Sequence, residues 1–205
     1  MEGNHTARGM EEKSCKRIVV GNEGANCSGG ANLAMLVMFA GDQDFDEINL
    51  MIAQFQNTMM RARYSSVPVV VAPHNMALGG GCELSLHSDH VQAHAELYMG
   101  LVEVGVGLIP AGGGTKEMTL RFSNAVKSGD VELNRLQDAF MNIAMAKVST
   151  SAEEASSLGY LGKDDGKTLN RKRQLAEAKK KVLSLHEAGT TELNNKTDIR
   201  ILGKE

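Results

Sequence analysis

The stretch Val67-Pro-Val-Val-Val-Ala-Pro-His-Asn-Met-Ala-Leu-Gly-Gly-Gly-Cys-Glu-Leu-Ser85 decides how the rest of the chain is read. From Val67 to Ala72 it is a continuous apolar run, mostly β-branched, which favours extended backbone. Neither face of that run is polar, so it reads as a strand covered on both sides. The pattern then changes. His74 to Gly81 reads as a loop, and Cys82 to Ser88 as a short helix. Glycines placed just before a helix let its open N–H groups approach a ligand, and the helix dipole adds positive potential there. Gly79-Gly80-Gly81 therefore has the ingredients of an oxyanion hole. Glu83 lies in the first turn of the same helix and Glu103 follows further along. Two carboxylates beside such donors can exchange protons with a substrate. The competing reading makes Glu83 a first-turn helix charge and Glu103 a solvated residue at a strand end.

Upstream, Arg17-Ile-Val-Val-Gly21 predicts a buried strand, followed by a small-residue loop from Asn22 to Gly30. Helical spacing follows twice. The first set is Leu33, Leu36, Val37 and Ala40, and the second is Ile48, Ile52, Phe55 and Met59. Downstream, Val91 to Ala93 and Leu97 to Met99 read as short strands, and the glycine-rich loop Gly105 to Gly114 feeds a helix at Thr115. Leu133, Leu136, Phe140 and Ile143 mark another helix. Ser151-Ala-Glu-Glu154 is a capping box opening a helix that stops at Gly159. Asn170 is placed to cap a last helix with Leu175, Ala178, Val182 and Leu185 inward, closed by Gly189. Strands alternating with helices predict an α/β layer fold. The division expected is a terminus at 1–16, a core at 17–125 carrying the site, a helical region at 126–189 and a tail at 190–205, polar except around Ile199 to Leu202.

Composition narrows the class. The 205 residues carry 22 Lys+Arg against 25 Asp+Glu, a formal charge of −3, with 42% hydrophobic and 23% charged residues. These are the proportions of a globular protein, without the basic excess of a nucleic-acid binder. Aromatics make up 4% with no Trp, which leaves little for base stacking. Cys15, Cys27 and Cys82 are widely spaced and form no CxxC pair, which favours neither a disulfide framework nor zinc and points to a reducing compartment. No apolar run reaches the length of a membrane span, and residues 1–17 lack the apolar core of a secretory signal. A cytoplasmic location is expected.

Other motifs resolve to ordinary roles. Gly107 and Gly112 have the first spacing of a Walker A loop, but Gly113 and Gly114 stand where Lys and Ser/Thr are required. The dinucleotide pattern fails because Pro110 takes the third glycine position. His87, His90 and His94 do not share one helix face, so exposed or core-edge histidines are expected rather than a metal site. Ser85, His87 and Asp89 resemble no nucleophile elbow. Lys179-Lys-Lys181 reads as a solvated helix face, Cys82 as a small buried hydrophobe, and Met35, Met38, Met59 and Met60 mainly as core filling.

Three segments, taken together, resemble the crotonase superfamily of enoyl-CoA hydratases and isomerases. The opening stretch is similar to its central motif, and Tyr98-Met-Gly-Leu-Val-Glu-Val-Gly-Val-Gly-Leu-Ile-Pro-Ala-Gly-Gly-Gly-Thr115 to its second. Ser28-Gly-Gly-Ala-Asn-Leu33 is similar to its first oxyanion-hole segment. They stand in the family's order, and the resemblance spans Arg17 to Asp165. Within the superfamily it is strongest to the hydratase-like region of bacterial 3-hydroxyacyl-CoA dehydrogenases, through Asn22 to Met35 and Ala146 to Ala155. Cys27 departs from a common aromatic, Asn32 from the usual Asp, and Val102 from a common Pro.

The resemblance implies stacked ββα turns (the ClpP/crotonase fold) with a helical C-terminal region, lacking the strands with which the family begins. It implies that the N–H groups of Gly29 and Gly80 bind a thioester oxygen, that Glu83 activates water, and that Glu103 serves the α-carbon proton. Gly30, Ala31, Asn32, Gly79 and Gly81 are expected against the substrate. The implied reaction is hydration of a trans-2-enoyl-CoA in β-oxidation, with no cofactor beyond the coenzyme A of the substrate and no metal. Isomerisation, or acyl-CoA binding without catalysis, are the alternatives. The implied partners are acyl-CoA, other copies of the chain in a trimer or hexamer, and other β-oxidation enzymes, with neither nucleic acid nor membrane. The two carboxyl groups are expected to raise each other's pKa.

Overall fold

The computed structural model describes residues 15–125 and 132–189. In chain order it contains β1 (Ile18–Val20), α1 (Leu33–Gly41), α2 (Phe45–Arg63), β2 (Val69–Val71), β3 (Asn75–Leu78), α3 (Gly80–Leu86), β4 (His90–His94) and β5 (Leu97–Gly100). A 3₁₀ turn at Glu103–Val106 follows, then α4 (Gly114–Ala125), α5 (Glu132–Ala144), α6 (Ala152–Ser157), β6 (Gly166–Thr168) and α7 (Arg171–Glu187).

Two parallel sheets organise the chain. One has the order β1-β2-β4-β6, and β3 pairs with β5 in the other. Each of β2 and β4 is followed within a few residues by a strand of the second sheet, then by a helical turn. This repeated step is the stacked α/β arrangement expected of a crotonase fold. Val70 pairs with His90 in the first sheet and Leu78 with Gly100 in the second, so consecutive repeats sit in register one above the other. Val69, Val70, Val71 and Ala72 are all buried, as the unbroken apolar run predicts.

The core lies on two levels. Ala77, Cys82, Leu86, Val91, Ala93, Leu97, Met99, Leu101, Met118 and Tyr160 belong to the larger cluster, around the second sheet and α3. Val70 and Ala72 pack on the other side against Ala178 and Val182 of α7. Gln174 of α7 is fully buried between these levels, where its Nε2 donates to the carbonyl oxygens of Pro73 and Gln92, each at 2.7 Å. The helix is thereby pinned to two neighbouring sheet segments by a polar clamp inside an apolar contact. Its start is capped by Asn170, whose side chain accepts from the Lys172 N–H at 3.0 Å. Ser151 caps α6 through the Glu154 N–H, and Gly159 ends that region at φ +82°. Glu154 departs from the usual box by reaching the Thr150 N–H at 2.8 Å.

Several sequence expectations change. The stretch expected as a loop from His74 to Gly81 contains β3, and α3 begins at Gly80 rather than Cys82. β6 has no apolar pattern and is a strand because it pairs with β4 through Gln92, Ala93 and His94. α1 buries none of its residues: Leu33 and Val37 are exposed and Leu36 is half-buried. This helix packs chiefly on α2 and so lacks a second surface to cover its apolar face. In α5, Phe140 points outward while Ala139 and Asn142 are buried. The side chain of Leu133 lies outside the described residues, as do 1–14 and the tail with Ile199 to Leu202. Among the four methionines read as core, only Met59 is buried. His87 and His90 are buried rather than at a core edge, His90 with its Nδ1 3.7 Å from Asp165 Oδ1 and its Nε2 3.4 Å from Gln92 Oε1.

Replacing Gln174 by Leu removes a donor shared by two buried carbonyls while keeping the side chain's bulk. The expected cost is about 1–3 kcal/mol of folding stability, measured as a lower urea midpoint with an unchanged m-value.

Candidate active site

The predicted site residues meet because the segment before α1 runs beside β3. The Ser28 N–H donates to Met76 O at 2.9 Å, and the Leu78 N–H donates to Ser28 O at 3.0 Å. This bridge draws Gly29 and Gly30 alongside the Leu78–Gly80 turn. Gly29 is exposed, with open space around its Cα. Gly80 is the first residue of α3, where helical N–H groups have no intrahelical acceptor. Among the described residues, no backbone hydrogen bond uses the N–H of Gly29 or Gly80. By contrast, the Gly79 N–H is engaged with Gly100 O at 2.9 Å, and the Gly30 N–H with the Ser28 hydroxyl at 3.3 Å.

The other predicted contacts divide. Gly81 packs its Cα against the Ser28 side chain, and a methyl there would stand 2.6 Å from Ser28 Cβ. Its role is close packing of the two segments. The Asn32 side chain accepts the Ala34 N–H at 3.2 Å and caps α1, while Ala31 is exposed. Cys82 is fully buried, as expected of a small hydrophobe, and burial pushes its thiol pKa well up.

Glu83 is almost completely buried. Its side chain turns under the Gly112–Gly114 loop, where the Gly114 N–H donates to its Oε1 at 2.9 Å. The loop lies so close that a Cβ on Gly112 would stand 2.5 Å from Glu83 Oε2 and collide with the Phe55 ring. The same ring lies against Gly80, where a Cβ would stand 2.9 Å from its Cζ. Burial raises the Glu83 carboxyl from 4.5 to about 7. Backbone N–H groups of Gly114 and Gly112 oppose the rise, and the Glu103 charge adds to it.

Glu103 opens the 3₁₀ turn just after β5, where it is half-buried. One carboxyl oxygen lies across from Gly79, whose φ of +52° and lack of Cβ both matter, since a methyl would be 2.9 Å from Glu103 Oε1. Its other oxygen, Oε2, is buried with no hydrogen-bond partner. Burial raises this carboxyl as well, against its own backbone N–H. Desolvation, rather than the mutual repulsion expected from sequence, is thus the main cause of both shifts. The Glu83 carboxyl can lose or gain a proton near neutrality, on the helix whose first residue is Gly80.

Sequence reasoning missed the partners that hold Glu83. The Gly112–Gly114 loop fails the phosphate-loop pattern and instead wraps a carboxylate. Helical spacing puts Phe55 on one face of α2, and its ring packs between Gly80 and Gly112. The sequence marks His87 only as an exposed or core-edge histidine and does not single out Glu117, yet both are buried, with His87 against the Glu83 main chain. A signal existed in the tight Gly-Gly-Gly run, which implies backbone packed against something, without saying what.

The sequence matches the enoyl-CoA hydratase/isomerase family over residues 7–127. The chain belongs to that family. A protein named "probable 3-hydroxyacyl-CoA dehydrogenase" in Bacillus subtilis (strain 168) is 45% identical over 184 residues, covering 89% of this chain and 23% of that protein. The fatty acid oxidation complex subunit alpha of Shewanella loihica is 31% identical over 122 residues, 58% of this chain and 17% of that protein. The chain therefore spans less than a quarter of the length of these two relatives. A crystal structure of an enoyl-CoA hydratase from Polaromonas sp. JS666 superposes with a TM-score of 0.68 at 22% identity, covering 90% of this chain and 65% of that one. At that identity the likeness establishes the crotonase fold.

The raised Glu83 carboxyl carries a stability consequence. Between about 4.5 and about 7 the folded state binds a proton that the unfolded chain has released, so stability falls as pH rises through this window. The loss from this group amounts to at most about 3 kcal/mol. Glu83→Gln is expected to flatten that part of the profile and to be more stable than the parent at pH 8, measured by chemical unfolding across pH 4–8.

Proposed function

We propose that this family member adds water to the double bond of a trans-2-enoyl-CoA. The observation that carries the reading is that Glu83, almost fully buried in the first turn of α3, and Glu103, half-buried against Gly79, both lie at the start of that helix. Among the described residues, the N–H groups of Gly29 and Gly80 take part in no backbone hydrogen bond there. In this reading the two N–H groups receive the thioester oxygen, on which negative charge builds as the enolate forms. Glu83 takes a proton from water as its oxygen bonds to the β-carbon, and Glu103 supplies the proton that completes the α-carbon. The oxygen and one hydrogen of the water end on the product. The other water proton rests on Glu83 and the α-hydrogen comes from Glu103, so the cycle closes when Glu83 gives up its proton and Glu103 regains one.

A Glu83 carboxyl held near neutrality suits a group that must both accept and release a proton, since an acid–base catalyst works best near the ambient pH. Phe55 and the Gly112–Gly114 loop keep bulk water away from one side of it. The reaction transfers no electrons, so the reading invokes no resident cofactor, and coenzyme A enters as part of the substrate. The relatives that bear dehydrogenase and fatty acid oxidation names are much longer than this chain. They support a setting in β-oxidation in which the hydroxyacyl product passes to an oxidising step. Other copies of the chain, in a trimer or hexamer, and other β-oxidation enzymes are the proposed partners. No disulfide joins Cys15, Cys27 or Cys82, and no described helix is long and apolar enough to cross a membrane. A cytoplasmic setting remains part of the proposal.

Glu83→Gln and Glu103→Gln are each expected to lower kcat for hydration of crotonyl-CoA by about 10²–10⁴-fold, with acyl-CoA affinity largely kept. The assay follows loss of the conjugated thioester absorbance, with calorimetry for binding. Full hydration by Glu83→Gln, or turnover of a trans-3-enoyl-CoA alone, would replace this reading with isomerisation.

A further inference from the structure

A second polar cluster lies behind Glu83 and has no part in the chemistry above. His87 caps the C-terminal end of α3 and is fully buried, with its Nδ1 2.7 Å from the Glu83 main-chain oxygen. That oxygen can only accept, so Nδ1 carries the proton. Burial lowers the imidazole from its ordinary value, which leaves the ring neutral and Nε2 a bare acceptor near neutrality. Nε2 faces Glu117 Oε1 at 3.7 Å, and neither atom has a hydrogen-bond partner. The same carboxylate oxygen lies 3.0 Å from Lys116 Nζ and 3.5 Å from Arg63 Nε, the latter also buried and unpartnered. Side chains from α2, the α3 cap and α4 thus converge on one buried oxygen.

Their position relative to Glu83 is specific. Gly113, at φ +108°, lies flat against the imidazole, and a Cβ on it would be 2.9 Å from His87 Nε2. Its neighbours Gly112 and Gly114 are the two residues packed on the Glu83 carboxylate. The Glu117 N–H donates to Gly113 O at 2.9 Å, so the turn that anchors Glu117 is the turn that presents Gly114 to Glu83. One imidazole therefore touches the main chain of Glu83 on one side and the loop holding its carboxylate on the other.

We propose that His87, packed beside the Glu117 carboxylate that Arg63 and Lys116 hold in place, is a positioning residue that locks the Gly112–Gly114 loop onto Glu83. The role as stated for turnover rests on the hydration reading above, while the effect on the Glu83 carboxyl does not. Loss of the Glu117 charge leaves two cations facing a neutral site, and loss of the imidazole leaves the Glu83 carbonyl and Gly113 without their common support. The loop then shifts relative to the carboxylate. Displacements well under the size of an atom are enough to slow a reaction that depends on attack geometry.

The tests combine the unaltered protein with four variants, one of which, Glu83→Gln, serves only to assign the Glu83 signal. Nitrogen-15 NMR of the imidazoles at neutral pH is expected to show His87 protonated on Nδ1; a proton on Nε2 with Nδ1 bare would overturn the proposal without any substitution. Glu117→Gln and His87→Ala are expected to lower kcat for crotonyl-CoA hydration about ten-fold or more while KM stays within about two-fold. Carbon-13 NMR of labelled carboxyls, with Glu83 assigned from Glu83→Gln, is expected to show its midpoint displaced by about half a pH unit or more. His87→Asn, whose amide N–H can replace the Nδ1 donor, is expected to restore most of both properties. Glu83 titrations in Glu117→Gln and His87→Ala that superimpose on the parent's would overturn the role. A displaced Glu83 midpoint in a protein that hydrates no enoyl-CoA would uphold the positioning and remove the hydration reading alone.

Discussion

The parallel pairing of β3 with β5 is the constraint on which the site depends. Leu78 sits opposite Gly100, and the hydrogen bond from the Gly79 N–H to Gly100 O extends that register by one residue beyond the strand. α3 starts two positions after β3 ends, with Gly79 between them, while Glu103 comes three positions after β5 ends. The ladder thus places Glu83 and Glu103 in neighbouring layers that exit the sheet at the same end. A slip of one residue would turn alternate side chains to the opposite face and separate the two carboxyl groups. The Ser28–Ala77 bridge hangs Gly29 on the same pair of strands.

Glycine makes the resulting crowding possible. Gly79 lies across from Glu103, Gly112 and Gly114 lie on Glu83, Gly80 lies on Phe55, and Gly81 lies on Ser28. Each contact is main chain against side chain at a distance that a methyl group would block. Such packing shields the Glu83 carboxyl from water chiefly with main chain and the Phe55 ring. The cost is electrostatic. An almost fully buried Glu83 held by one good N–H donor is less stable ionised than it would be in water, and its raised pKa expresses that penalty. In the proposed chemistry, the same penalty gives a carboxyl group that can change protonation near neutral pH.

The scaffold around this strained centre is stiffened by polar groups of its own. Gln174 joins α7 to two sheet segments, and Arg171 at the head of the same helix donates to Asn22 O at 2.6 Å, in the loop that leads to Gly29. Arg171 also lies 2.9 Å from His74 Nε2, which contacts Gly24 O at the same distance. The C-terminal helix therefore braces both the sheet and the entry to the Gly29 segment. α1, which follows that segment, has no comparable bracing and leaves Val37 and Met38 largely exposed.

What the sequence determined by itself was local pattern and the identity of the reactive groups. The unbroken run Val67 to Ala72 required a strand with two covered faces, and Ser151, Asn170 and Gly159 marked helix ends through chemistry that acts within a few residues. Glu83 behind three glycines and Glu103 after a second motif were legible as a pair, and the three motifs in order were enough to indicate the fold. Tertiary structure alone decided the rest. β3 and β6 are strands because of neighbours distant in sequence, and little in Asn75-Met-Ala-Leu78 or Gly166-Lys-Thr168 marks them locally. The raised Glu83 carboxyl comes from a loop some thirty positions away folding over it. His87 and Glu117 face each other only once α4 packs behind α3. Burial, and the electrostatics that follow from it, is a property of assembled surfaces, and no short-range pattern encodes it.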